Sequence, residues 1–535
     1  MNSTQESKTY KNAYFVLEII LVLITVGTVV SKTLITIADV LLVVLWLAFG
    51  IIETKSVKGI PLQFSKFFTN KSSVIFSMIF AVCFAGLFHS SNTKTGTDEL
   101  VCKLPLLIMP VVFSGLPEIK ERTVNIIITT FCASLLYASI IVFITYSHNP
   151  YDYRQVYSHV NTTVLGFFLS FGIILLIYEL LKYKRRLPVW AKAAILMVIV
   201  IFLAAILIKK SLTGITTLII TSLIVVFTDK TLININRKAK TAAIITILLL
   251  LCGIPAYYIY AHDRYYSLKS DYANPPEFTV NGNRYKHDIE NSILEEGNYN
   301  LCYLCEKELA QEWPQVGGCQ WPEYKDELIR YLNSVNYTKD SVGVHQLSDS
   351  QIKDIKHGIA NANYTKFGFY PRLSEAFFCY ESYKKTGCPT GSILSRIAAW
   401  SSGLTLIKEK PLLGHGTGEV VELQRNRSFE LFPCLEVTEA NSHDAITHGI
   451  LTHNQYIFFA IQSGIIGLII IVICFILPGF IKKRNKSFLW KSLLTATLVV
   501  LFFEDMLGRQ TGVTMISAFY FIFLLIDEQP CEQKN

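Results

Sequence analysis

Charge is scarce in this sequence. Asp, Glu, Lys and Arg make up 17% of its 535 residues, against roughly a quarter in an average soluble protein. That shortage excludes a disordered chain, a coiled coil and an ordinary soluble multidomain enzyme. No internal repeat or low-complexity tract is visible. What the chain has instead is long apolar runs, with apolar types at 51% of residues. The runs are about 18 to 25 residues long, the length that crosses a hydrocarbon core of roughly 30 Å. The fold class this implies is an all-α polytopic membrane protein seated in a lipid bilayer. The net charge, 49 − 41 = +8, sits mostly in short loops between the runs. There it sets topology, and no nucleic-acid partner is expected.

Twelve candidate spans follow: 13–31, 33–52, 72–90, 99–116, 122–146, 162–181, 188–208, 211–228, 240–261, 453–480, 487–506 and 511–527. The fourth is interrupted by Lys103, Pro105 and Pro110 and reads equally as a re-entrant or broken helix. With a cytoplasmic N-terminus, the even-numbered connections are the basic ones. They include Lys55, Lys58, Lys66 and Lys71, then Lys182, Lys184, Arg185 and Arg186, then Lys482, Lys483, Arg484 and Lys486. The short odd connections hold few cations, among them Lys32, Lys94, Arg154, Lys209, Lys210 and Arg509. The alternation puts both termini in the cytoplasm. The first run is long and no A-x-A-type site follows it, so no cleavable signal is expected.

The organisation expected is a membrane part at 1–261, a large extracytoplasmic segment at 262–452 and a second membrane part at 453–535. In the middle segment, apolar spacing predicts helices over 322–335, 349–360 and 391–409. It also holds six of the twelve cysteines: Cys302, Cys305, Cys319, Cys379, Cys388 and Cys434. An even number in an exported segment points to disulfides, with fifteen possible pairings for six cysteines. A metal knuckle at Cys302-x2-Cys305 is the rival, but it lacks a matched second pair.

Three polar clusters lie at the rim of the spans, where ionisable groups are costly without a task. Arg396 and Trp400 are four apart and share one helical face. A guanidinium there offers a fixed fork of donors to phosphate oxygens, or simply stacks on its own tryptophan. The glycines at 414, 416 and 418 follow no strand and precede no P-loop lysine, so they read as a tight turn. Next come His443, His448 and His453-Asn454, entering the tenth span with Gly464 and Gly467. A neutral imidazole at His453 is placed to take a proton from a hydroxyl, with Asn454 orienting ring or substrate. Steps of five between the histidines do not keep one helical face, which argues against a metal. The two glycines are expected to let another helix approach. Glu504-Asp505 and Arg509 share the last outer turn, pairing with each other or lining a site. Arg154 and His159, and Lys209-Lys210, add cationic and aromatic edges suited to phosphate and sugar.

These residues resemble a known family. His453-Asn454, nine residues, then Gly464-x-x-Gly467 is similar to the H-[NSQ]-x9-G-x-x-G pattern of O-antigen ligases and the related O-antigen polymerases. Arg396-x3-Trp400 and Pro411-Leu-Leu-Gly-x-Gly-Thr-Gly418 resemble the block that precedes the histidine in that superfamily. The resemblance is sharp over about 390–470, and Glu327–Leu332, 358–361 and 504–510 look like a subgroup with an enlarged loop.

What the resemblance implies is a GT-C-like fold in a bacterial inner membrane, with the large loop periplasmic. It implies inverting, metal-independent and cofactor-free transfer of a glycan from an undecaprenyl-diphosphate carrier. The acceptor would be a hydroxyl on lipid A-core or another glycan. His453 would be the base and Arg396 would hold the diphosphate. The family's Ser-Arg-Gly-type arginine after the seventh span is missing, and Lys209-Lys210-Ser211 stands there instead. Lysines are point charges and lose bidentate geometry. A polymerase joining lipid-linked repeats, a protein O-glycan ligase and a polysaccharide transporter are the competing readings. Transport fits least, because the ionisable groups cluster at one rim and the halves look unrelated.

Overall fold

The computed structural model describes residues 2–148, 160–184, 186–228, 237–435 and 452–527. Arg154, His159, His443 and His448 lie outside them. The described chain is mostly helical. The membrane helices are α1 (Asn2–Val30), α2 (Lys32–Thr54), α4 (Lys71–Gly86), α7 (Glu121–His148), α8 (Thr162–Lys182), α9 (Val189–Ile208) and α10 (Leu212–Thr228), with a short α3 (Gly59–Thr69) between α2 and α4. The long α11 (Arg237–Tyr266) leads into the polar segment. Seven described helices are long and apolar enough to cross a membrane, and three shorter ones are apolar.

The fourth predicted span is the broken form. Its sequence divides into α5 (Thr93–Lys103) and α6 (Pro105–Gly115). Pro105 has no N–H to continue the ladder, and α6 alone, at 11 residues, reaches only about 16 Å. Lys103 ends α5 fully buried and paired with Glu99.

The polar segment adds α12 (Glu306–Val316), α13 (Lys325–Ser334), α14 (Ser341–His345), α15 (Asp349–Lys356), α16 (Tyr370–Thr386), α17 (Ser392–Glu409) and α18 (Val420–Leu431). The α13, α15 and α17 helices are those expected from the spacing. The apolar face of α13, Leu328, Ile329, Tyr331 and Leu332, is buried with Leu309 and Trp313 in a separate apolar core. Leu406 and Val420, by contrast, join the core of the membrane helices. The segment's C-terminal part thus packs down onto α19 (Gln455–Ile481). A disulfide, Cys388–Cys434, closes the stretch carrying Arg396, while Cys302, Cys305, Cys319 and Cys379 are free thiols.

Two more helices complete the chain, α20 (Phe488–Phe503) and α21 (Gln510–Leu524). Both are shorter than the predicted spans. The α20 helix ends where Glu504 takes an extended conformation, and beyond α21, Ile526–Asp527 pairs in parallel with Ile119–Lys120. Every residue of α21 from Thr511 to Leu524 is buried, as its apolar circumference demands.

The tenth span holds the main departure from expectation. Gly464 sits inside α19 with φ 67° and ψ −178°, breaking the helix. A loop rather than a helix approaches it: a Cβ on Gly464 would lie 2.1 Å from the Leu412 carbonyl oxygen. The loop repairs the broken ladder. His415 N donates to Ile461 O at 2.8 Å, Gly416 N to Gln462 O at 2.9 Å, and Ile465 N to Pro411 O at 2.8 Å. Irregular backbone at membrane depth persists only when its polar groups are satisfied in this way. Gly414, Gly416 and Gly418 all have positive φ, consistent with the tight turn. Gly467 does face a helix, with Val82 of α4 at 3.2 Å from its virtual Cβ. Gln462 Nε2 donates to Thr417 Oγ1 at 2.7 Å and to Glu99 Oε1 at 3.0 Å, tying loop, α19 and α5 together.

Gly464 occupies a backbone region open essentially to glycine alone, where other residues cost about 1–3 kcal/mol before any clash. Gly464→Ala is therefore expected to reduce the yield of monodisperse protein in detergent and lower its melting temperature. Gly508→Ala, where a Cβ meets nothing within 4 Å, should melt like wild type in the same assay.

Candidate active site

Two turns meet at the head of α19: 452–454, which enters it, and 504–509, which joins α20 to α21. Asp505 stitches them. Its carboxylate accepts from Thr452 Oγ1 at 2.9 and 3.0 Å and from His453 N at 3.0 Å. Leu507 N donates to Gln455 Oε1 at 2.9 Å. His453 is held at φ 46°, a left-handed conformation that a bulky residue rarely adopts. Such strain survives only where neighbours over-determine the backbone.

Asn454, read from sequence as orienting the ring or a substrate, also has a structural role. It is buried, and its Oδ1 accepts from the N–H groups of Tyr456 at 3.0 Å and Ile457 at 3.1 Å, capping α19. Two of the helix's orphan donors are satisfied, and the direction of the chain at His453 is fixed.

The α17 helix lies across these turns. Trp400 Nε1 donates to Thr452 O at 2.9 Å, and its ring meets Phe502 edge-on at 5.3 Å. The four-residue spacing then brings Arg396 over the same turn. The tryptophan is thus a brace for the histidine strand, and the arginine is not stacked on it.

The groups converge on Glu504, whose side chain is 2% exposed. His453 Nδ1 lies 3.6 Å from Oε2, Arg396 Nη2 lies 3.8 Å from Oε2, and Arg509 Nη2 donates to Oε1 at 3.3 Å. Burial pushes the Glu504 carboxyl up, but the His453 contact and the Arg509 and Arg396 charges outweigh it, leaving Glu504 below its ordinary value. Burial pushes Asp505 up, against the Thr452 hydrogen bond, so adjacent carboxyls are driven apart. Burial also lowers Arg396, with Glu504 opposing it, yet a guanidinium remains a cation.

His453 Nδ1 has no hydrogen-bond partner and faces Glu504 at a distance slightly beyond hydrogen-bond length. The arrangement is a buried carboxylate that orients an imidazole and stabilises its protonated form. The two flanking guanidiniums, with side chains 26% and 40% exposed, face an anion.

The structure therefore brings His453, Arg396, Trp400, Glu504 and Arg509 together, with Asn454 beneath them. Lys209 and Lys210 are buried at the turn from α9 to α10, where Lys210 Nζ donates to Tyr364 O at 2.8 Å. Asp505 received no role of its own in the sequence reading. Its signal was two adjacent carboxylates at the end of an apolar run.

Residues 348–472 match the family model described as O-antigen ligase. This segment is similar to the O-antigen ligase superfamily, and the match covers under a quarter of the chain. The matched stretch contains Arg396, Trp400, the glycine loop, His453 and the Gly464 break. An uncharacterized protein of Haemophilus influenzae is similar to the chain, 26% identical over 122 residues. That alignment covers 23% of the chain and 28% of the relative, so the chain matches under a third of that protein's length. Of the matched stretch, Arg396 and His453 meet at Glu504, while Glu504 and Arg509 lie outside the match.

One pH effect follows from the cluster. The folded Glu504 carboxyl is depressed, so its contribution to stability is present above the unfolded carboxylate value. It is lost as pH falls through the lower folded value, below about pH 4. Protonation there leaves the Arg396 and Arg509 guanidiniums without the carboxylate charge between them. Melting temperature measured in detergent should fall over this range, and Glu504→Gln should show a smaller acid-induced drop.

Proposed function

We propose that the chain transfers a glycan from a lipid-diphosphate carrier to an acceptor hydroxyl, as an O-antigen ligase does, on the outer face of a bacterial inner membrane. The convergence of one imidazole and two guanidiniums on a buried carboxylate carries this reading. His453 Nε2 accepts the acceptor hydroxyl proton as that oxygen bonds to the anomeric carbon. The bond from that carbon to the phosphate oxygen breaks, and the electron pair leaves on the carrier diphosphate. Attack from the face opposite the leaving group inverts the anomeric centre. Glu504 stabilises the imidazolium that forms, while Arg396 and Arg509 stabilise the departing diphosphate. Diphosphate is a good leaving group, so orientation, a base and charge stabilisation suffice and the scheme uses no metal or cofactor.

The family description and the His453-Asn454-x9-Gly464-x-x-Gly467 pattern favour a ligase acting on lipid A-core over a polymerase. The carrier we assign is undecaprenyl diphosphate. Chain deletion followed by gel analysis of surface glycan tests this. Core-only lipid with accumulated carrier-linked polymer supports ligation, whereas core bearing a single repeat means polymerisation.

Lys209 and Lys210 are proposed to add positive potential to the donor site from the turn after α9. Replacing both with Gln should weaken use of the lipid-diphosphate donor more than it alters acceptor preference. Wild-type rates from the double variant would remove the lysines from the phosphate site and leave it to Arg154 or Arg509.

A further inference from the structure

Beside the candidate active site is a cleft of about 460 Å³ between the end of α11, the α16 helix and the start of α17. Its composition is uneven in an informative way. Tyr258, His262 and Tyr266 of α11 line one wall at four-residue intervals, so they form a ladder on one helical face with steps of about 6 Å. That step is close to the length of one pyranose unit along a glycan chain. His262 lies 6.3 Å from Tyr258 and 4.5 Å from Tyr266, ring centre to ring centre, and Phe377 packs beneath all three. Tyr258 is 50% exposed and Tyr380, on the facing wall, is 49% exposed. Such rings present broad apolar faces to water without being needed for the core.

The polar groups are few and directional. Arg372 Nη1 pairs with Glu375 Oε2 at 2.5 Å, and its other nitrogen meets Ser392 Oγ. The Tyr266 hydroxyl donates to Glu381 Oε1 at 2.8 Å. Aromatic faces with a small number of fixed donors and acceptors match the surface of a sugar, whose ring faces are C–H and whose rim is hydroxyl. A polyprenyl tail fits poorly, because Arg372, Glu375 and His262 put polar groups along the wall it would have to cover. The cleft lies where the apolar stretch of α11 ends, and Ile397, which lines it, is the residue after Arg396. A glycan whose terminal phosphate bond rests at Arg396 has its next sugars in reach of this wall.

We propose that this cleft is a subsite for the sugar chain of the carrier-linked donor, holding the units beyond the reacting one. The proposal rests on the glycan-transfer reading, and its test separates the two. The full-length protein is prepared in nanodiscs as wild type, Tyr258→Ala/Tyr380→Ala, Tyr258→Phe/Tyr380→Phe and His453→Ala. The probe is the oligosaccharide released by mild acid from the expressing cell's own lipid-diphosphate glycan, which carries neither lipid nor diphosphate. Binding should weaken about tenfold in the double alanine variant and recover in the double phenylalanine variant, which keeps the ring faces. His453→Ala should bind the oligosaccharide as wild type does. With intact donor, the double alanine variant should raise KM with kcat changed by less than about twofold, while a donor bearing one sugar shows no change. Equal binding by wild type and the double alanine variant, or no binding by wild type, would overturn the subsite and leave the transfer reading standing. Ring-dependent binding by a wild-type protein that transfers no glycan would uphold the subsite and overturn the transfer reading.

Discussion

His453→Ala should lower glycan transfer by about 10²–10⁴ while leaving the protein folded and in the membrane. The size follows from what is removed. An acceptor hydroxyl is a weak nucleophile until its proton leaves, and the His453 imidazole is the base we assign to take it. The fold should survive because the His453 backbone, not its ring, makes the hydrogen bond to Asp505, and Trp400 still holds Thr452. Alanine at φ 46° bears the left-handed cost of about 1–2 kcal/mol common to residues with a Cβ, which the surrounding hydrogen bonds must hold. The measurement is single-turnover transfer by purified, monodisperse protein, with the melting temperature recorded beside it. Glu504→Gln should show a smaller loss, since the ring stays and only its orientation and the stabilisation of its protonated form are weakened. An abundant, folded His453→Ala protein with near-normal transfer would remove the base assignment and pass attention to His443 and His448. His415 is a weaker substitute, because its Nε2 is already engaged with Leu406 O at 2.9 Å.

Why some of this was legible in the sequence and some was not is a matter of range. Apolar run length is a local property, so α1, α2, α4 and α7 to α10 overlap predicted spans, whereas the short α3 falls in none, and Lys103 with Pro105 already signalled the broken fourth. The amphipathic face of α13 was legible for the same reason. The docking of residues 411–416 into the Gly464 break is a long-range event. A glycine in an apolar run reads there as a helix-packing notch, and only the partner shows that it is a break. Glu504, Arg396 and His453 were each visible as costly rim groups, but no spacing rule states that three distant segments share one carboxylate. Asn454 carried two signals, a motif position and the residue type that opens a helix, and the structure shows it using its Oδ1 for the second. The Cys388–Cys434 pairing is one choice among many that composition cannot rank.

Arg396 separates charge from geometry. Its Nη2 lies 3.8 Å from Glu504 Oε2, beyond hydrogen-bond length, so the carboxylate anchors the cation without using up the guanidinium fork. Arg509 is closer, at 3.3 Å, and donates to the other oxygen. If the Arg396 fork binds the departing diphosphate, Arg396→Ala removes donors aimed at charge that grows in the transition state. The expected loss is about 10²–10³ in kcat. Arg396→Lys keeps one positive charge near Glu504, so the folded state is not left with a buried, unpaired carboxylate. It cannot present two parallel N–H groups to phosphate oxygens, so it should recover only part of the rate. Donor and acceptor titrations locate the defect: the loss should appear with the lipid-diphosphate donor, and the acceptor KM should stay near wild type. Full rescue by lysine would mean that Arg396 acts as a point charge balancing Glu504. Near-normal transfer by Arg396→Ala would assign the diphosphate to Arg509 and leave Arg396 as a brace for the carboxylate.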